Sequence, residues 1–142
     1  MCSILLTNKK IHDLDYVNHF LKFRGPDYTN VYGKNNITFI HNLLSISGAF
    51  TIQPFIDDNV VCLYNGEIYN YKQLNSDYTS DGECLIPLYR KYGTDFIKHI
   101  DGEFAIALVD FNENKIIIST DVFATKPLWI ALENNEFGIS SY

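Results

Sequence analysis

The chain of 142 residues reads as one α+β domain dominated by antiparallel strands. Three observations predict this. Apolar runs of strand character come first, helical periodicity follows, and strand runs return at the end. The last third holds two pairs of such runs around the short polar breaks "NEN" and "ENN", the spacing of hairpins rather than of βαβ crossovers. Hydrophobic residues make up 46% and charged residues 20%, which suits one main core, and ten Tyr with ten Phe give large side chains much of the packing.

Each element has its own justification. "SILLT" predicts a strand buried on both faces. "HDLDYVNHFLKF" spaces Leu14, Val17, Phe20 and Leu21 at helical intervals, so a helix with that inward face is expected. "RGPD" ends it, because Pro26 disfavours helix at Gly25. "TNVYG", "ITFIH" and "LLSIS" read as short strands, and "VVCLYNG" as a strand ending at a turn-prone Asn-Gly pair. "SDGECLIPLYRKYG" reads as a helix with a capping box from Ser80 to Glu83 and a stop at Gly93. Pro87 then requires either a kink or a later start. "TDFIKHI" is a second short helix. "EFAIALVDFNENKIIISTD" is a hairpin, and "PLWIAL" with "FGISS" is another.

Composition excludes several functions. A net charge of -6, with eleven scattered Lys and Arg, is wrong for a nucleic-acid groove. The charged stretch "NKKIHDLD" follows the first apolar residues too soon for a signal peptide, and no run has the length of a membrane span. Cys2, Cys62 and Cys84 are odd in number and lack CxxC spacing, which argues against both a disulfide framework and a metal site. A reduced, cytoplasmic setting is expected. Cys62 and Cys84 read as inert structural thiols, and His41 as a core histidine.

Chemistry concentrates in a few segments: "MCSI" at 1–4, "FRGPDY" at 23–28, "LYNGEIYN" at 63–70, "SDGE" at 80–83, and "DGEFAIALVD" leading to "DVFATKPLW". Singly each has an ordinary structural explanation. In this order, and across essentially all 142 residues, they resemble the N-terminal glutaminase domain of asparagine synthetases, a class II glutamine amidotransferase of the N-terminal-nucleophile hydrolase superfamily. "RGPD" and "NGEIYN" are the most specific parts. The resemblance implies a four-layer αββα sandwich, two antiparallel sheets flanked by helices, with residues 1–142 forming the glutaminase domain and no synthetase domain among them.

The resemblance also implies roles. Cys2 would be the nucleophile once Met1 is removed, with its own α-amino group, of reference pKa about 7.7–8.0, as general base. Attack on a side-chain amide would give an oxyanion, then a thioester and ammonia, and water would hydrolyse the thioester. Asn65 and Gly66 would donate to the oxyanion, and Glu67 and Asp81 would hold the substrate's α-ammonium. Arg24 would support the site. No cofactor or metal is implied. The expected partners are glutamine or a related small amide and an ATP-dependent synthetase domain or subunit, since this chain lacks a nucleotide-binding Gly-rich loop.

One position departs from the pattern. "HNLLSIS" puts Leu43 where the family usually has an Arg that clamps the substrate's α-carboxylate. A hydrogen bond to a charged group is worth roughly 1.5–3 kcal/mol, or about ten- to over a hundredfold in affinity. Three readings are open: Arg24 or Lys126 substitutes in space, the substrate is an amide without that carboxylate, or the domain is a binding or regulatory module with little hydrolysis. Phe23 and Ala124 are lesser departures, from His and Gly, that bear on packing.

Overall fold

Antiparallel pairing joins every strand of the computed structural model, which describes residues 1–46 and 48–142. The first sheet holds β1 (Ser3–Thr7), β2 (Tyr28–Lys34), β3 (Ile37–Leu43), β8 (Trp129–Glu133) and β9 (Glu136–Ser140), in the order β2-β3-β1-β9-β8. The second holds β4 (Phe55–Asp57), β5 (Val60–Ile68), β6 (Gly102–Asp110) and β7 (Lys115–Thr120), in the order β4-β5-β6-β7. Helix α1 (Leu14–Lys22) covers the outer face of the first sheet. Helix α3 (Leu85–Tyr92) and a 3-10 helix at Gly93–His99 cover that of the second.

Three apolar clusters define the four layers. Leu5, Ile40 and Leu21 join α1 to the first sheet. Ile4, Leu6, Phe39, Val61, Leu63, Ala107 and Val109 fill the space between the sheets. Val60, Cys62, Tyr64, Ile106 and Leu108 pack against Leu85, Leu88, Tyr89 and Phe96 on the far side. Alternate residues of β1, β3 and β5 thus face opposite layers. All five residues of β1 are buried, as expected for the central strand of a covered sheet. Both expected hairpins form, turning through residues with positive φ: Asn114 between β6 and β7, and Asn134 and Asn135 between β8 and β9.

Tertiary packing changes several expectations. The Asn65-Gly66 pair is not a turn. It lies inside β5, opposite Ala105 and Phe104, because the ladder with β6 runs unbroken to Ile68. "LLSIS" is not a strand: Leu43 ends β3, residues 44–46 are irregular, and Ser47 lies outside the described residues. Helix α1 exists with Asp13 as its N-cap, but Leu14, Val17 and Phe20 are exposed; Asn18 and Leu21 carry the inward line. At 80–93 the later start that Pro87 allowed is the one found: a 3-10 turn, Asp81–Cys84, precedes α3, and Pro87 falls in the first turn of α3, where no N–H is missed. The Ser80 capping box does not form; Glu83 instead accepts from the Thr79 N–H at 3.0 Å and from its hydroxyl at 2.7 Å. Gly93 ends α3 with φ 59°, as its sequence position suggests. Two short elements carried no periodic signal, β4 and helix α2 (Tyr71–Leu74).

Candidate active site

Strand alternation brings the separated sequence segments together. Cys2 is in phase with Ile4 and Leu6, Leu43 with Phe39, and Asn65 with Val61 and Leu63, so all three look into the gap between the sheets. At that end the gap opens as a cleft of about 200 Å³ lined by Met1, Cys2, Leu43, Asn65, Gly66, Glu67, Asp81, Glu103 and Lys126, among others.

The "RGPD" turn braces β3 and the segment after it, behind the cleft. Gly25 packs directly on β3: a Cβ there would stand 2.0 Å from the Asn42 carbonyl oxygen. Asp27 donates its N–H to Leu43 O at 3.0 Å and accepts from the Ser45 N–H at 2.8 Å. These contacts fix Leu44, whose N–H donates to Cys2 Sγ at 3.4 Å and whose carbonyl accepts from the thiol at 3.7 Å. On the outer face, Asn42 and Asn18 exchange side-chain hydrogen bonds of 2.8 and 2.9 Å, and Asn42 donates to Ser3 Oγ at 3.1 Å. The backbone beside Cys2 is therefore held from both sides.

The ionisation of Cys2 is set by competing neighbours. Burial raises its pKa. The Leu44 N–H and the terminal ammonium lower it, while the carboxylates of Asp81 and Glu67 raise it again. Asp81 is itself fixed by three donors: the Tyr64 phenol at 2.6 Å, the Ile68 N–H at 2.8 Å and the Gly82 N–H at 2.9 Å. Burial, then Asp81, holds the Tyr64 phenol protonated, so it remains a donor.

Asn65 is different. It is 1% exposed, lines the cleft, and its Nδ2 has no partner among the described residues. A buried amide N–H left unbonded is costly and uncommon, and this one belongs to a residue that lines the same cleft as Cys2. Gly66 and Glu67 follow it along the cleft wall.

Of the residues singled out from sequence, Cys2, Asn65, Gly66, Glu67 and Asp81 share the cleft. Arg24 does not line it. It stands beside the N-terminus, donating to Met1 Sδ at 3.5 Å and lying over the Tyr142 ring at 5.3 Å, with Nε buried and without a partner among the described residues. Leu43 is a buried part of the wall, and Lys126 reaches the cleft from the loop after β7, its Nζ 2.9 Å from Glu103 Oε2. Gln53, Tyr64 and Glu103 were not foreseen in the cleft. The alternation of β5 assigns Tyr64 to the helix side, and only the placement of the loop before β4 reveals Gln53. Cys62 and Cys84 are buried free thiols whose pKa burial pushes up, Cys84 to about 12 with Asp81 adding to the effect, and the Cys84 thiol donates to the Asp81 carbonyl at 3.0 Å. Among the described residues no helix is long and apolar enough to cross a membrane.

A two-sheet sandwich with a cysteine and an unbonded buried amide at the open end of its inter-sheet gap has the form of an N-terminal-nucleophile hydrolase. Comparison with known proteins agrees and narrows the class. The chain belongs to the glutamine amidotransferase domain family, whose profile matches residues 1–142. It is 36% identical over 128 residues to the glutamine-hydrolysing asparagine synthetase 2 of Bacillus subtilis, covering 83% of this chain and 17% of the relative. It is 30% identical over 133 residues to asparagine synthetase B of Escherichia coli, also named as glutamine-hydrolysing, covering 84% and 24%. The chain thus spans about a fifth of the length of these relatives. Among solved structures, the glutamine phosphoribosylpyrophosphate amidotransferase of B. subtilis shares the fold, with a TM-score of 0.75, 16% identity, and coverage of 99% of this chain and 42% of that one.

Proposed function

We propose that this domain hydrolyses the side-chain amide of glutamine and releases ammonia, with Cys2 as nucleophile after removal of Met1. The freed α-amine takes the thiol proton, and Sγ attacks the carboxamide carbon. Asn65 Nδ2 and the Gly66 N–H receive the oxyanion. Its collapse expels ammonia, the proton returning from the α-ammonium, and leaves a thioester. Water then adds to the thioester, giving glutamate and the free thiol. Asp81, with Glu67, holds the substrate's ammonium. Arg24 acts as a positioning residue beside the new N-terminus, where removal of Met1 releases the donor now on Met1 Sδ. Met1 also lines the cleft, so its loss enlarges the space beside Cys2.

The observation that carries this reading is the unbonded Nδ2 of buried Asn65 in the same cleft as Cys2. A donor kept without a partner in the resting protein is what a transient oxyanion requires. The acceptor of the ammonia is proposed to be a synthetase domain or subunit, in keeping with the relatives named above. The test is ammonia release from L-glutamine by chain shown by mass to lack Met1, with Cys2→Ala alongside. Release by the parent and none by Cys2→Ala is expected. Equal release by both would remove Cys2 from the chemistry.

A further inference from the structure

We infer that this chain pairs with a second copy of itself along the edge strand β8, two-fold symmetric about Ala131, so that the first sheet runs on through the dimer. The inference is independent of the hydrolase reading.

The gap between the sheets is closed at one side and open at the other. On the side of β2 and β4, Asn30 Nδ2 donates to the Gln53 carbonyl at 2.8 Å. There too Lys34 Nζ donates to Asn59 Oδ1 at 2.7 Å and lies over the Phe111 ring. On the opposite side, β7 and β8 form the margins of the two sheets. Ile116 and Ile118 stand beside Val109 and Ala107 of the inter-sheet cluster, and Ile130 and Leu132 stand beside Ile139 and Phe137. Cross-strand neighbours share a face, so all four belong to the inner face of the sandwich. Inner-face residues are normally buried, yet these are 36–78% exposed.

Edge chemistry says what covers them. Strand β4 has three residues, and β2 ends in Gly33-Lys34; a short strand and an edge lysine both discourage pairing. Strand β8 has neither protection. Its five residues, "WIALE", are all exposed and carry one charge, at the end. An open edge of this kind is satisfied by another strand, and its own sequence is complementary to it. Antiparallel pairing centred on Ala131 sets Ile130 against Leu132 of the second copy on the inner face, and the two-fold axis makes that contact twice. Trp129 then lies opposite Glu133 of the second copy, so the two carboxylates do not meet. Area agrees. The exposed fractions of Ile116, Ile118, Trp129, Ile130 and Leu132, on side chains of roughly 150–250 Å², leave on the order of 500 Å² of apolar surface per chain. At the apolar share of a homodimer interface, about 65%, this corresponds to about 800 Å² per partner, the size of a standard stable interface.

The experiment is sedimentation velocity on the 142-residue chain at about 100 µM, where twice the single-chain mass of 16.4 kDa is expected. Dilution should shift the emission of Trp129, the only tryptophan, to longer wavelength. Leu132→Lys, at a site exposed enough to leave folding intact, should weaken the dimer about a hundredfold or more, because symmetry counts the change twice. Ala131→Cys should form a 131–131 disulfide between chains on mild oxidation, and Trp129→Cys should form no 129–129 link. A single-chain mass at that concentration would overturn the inference and leave the edge to a different polypeptide. So would a dimer that survives Leu132→Lys and gives no 131–131 link, since it would use another face.

Discussion

Asn65 Nδ2 is a buried donor with no partner among the described residues. An unbonded buried amide subtracts from stability, so its retention in the cleft is best explained by what binds there. Asn65→Ala is therefore expected to lower kcat by about 10²–10³ with little change in KM, because the lost bond forms only in the transition state. The urea midpoint should stay level or rise, since an unsatisfied group has been removed. A fall in stability with unchanged kcat would make Asn65 a structural residue. Cys2, beside it, was legible in the sequence only through its company: a cysteine at position 2 means little without "RGPD" and "NGEIYN" downstream. Lys126 and Glu103 show the opposite limit. Each is unremarkable in its own segment, and only the fold brings the ion pair into the cleft.

At the scale of elements, the "RGPD" turn and β3 act as one support for the nucleophile. Gly25 is required there by contact rather than by backbone angle, since a Cβ would overlap the Asn42 carbonyl oxygen at 2.0 Å and crowd Leu43 N at 2.8 Å. Gly25→Ala should cost about 1–3 kcal/mol or more in urea unfolding and slow alkylation of Cys2, as the Leu44 contacts shift. Gly138→Ala, where a Cβ meets nothing within 4 Å, should change neither by a comparable amount. Most elements were readable because their signals are local: the buried run of β1, the hairpin of β6 and β7, the Gly93 stop of α3. The failures were non-local. Asn-Gly favours a turn, yet nine residue pairs between β5 and β6 keep it extended. The amphipathic spacing of α1 was real, but Leu21 and Asn18 turn inward because Asn42 waits on the sheet below.

The whole molecule stores one pH-sensitive group between its sheets. His41 is buried, its Nε2 has no partner among the described residues, and burial pushes its pKa down to about 4. The unfolded chain takes a proton there below about pH 6.5, which the folded chain refuses until about pH 4. Stability should thus fall as pH drops through that window, by roughly 3 kcal/mol in all, with no contribution from His41 above it. Asp110 and Asp121, whose pKa values are lowered by their hydrogen-bond donors against the effect of burial, lose their contribution at lower pH. Urea midpoints measured across the window should fall in the parent and flatten in His41→Gln; parallel slopes would show that another group titrates. The central claim is that Cys2, freed of Met1, attacks a carboxamide whose oxygen Asn65 receives. It is tested most directly by treating the trimmed protein with the glutamine-like diazoketone 6-diazo-5-oxo-L-norleucine and mapping the adduct by mass spectrometry. The account predicts a single adduct on Cys2; an adduct on Cys62 or Cys84, or none on intact folded protein, would contradict it.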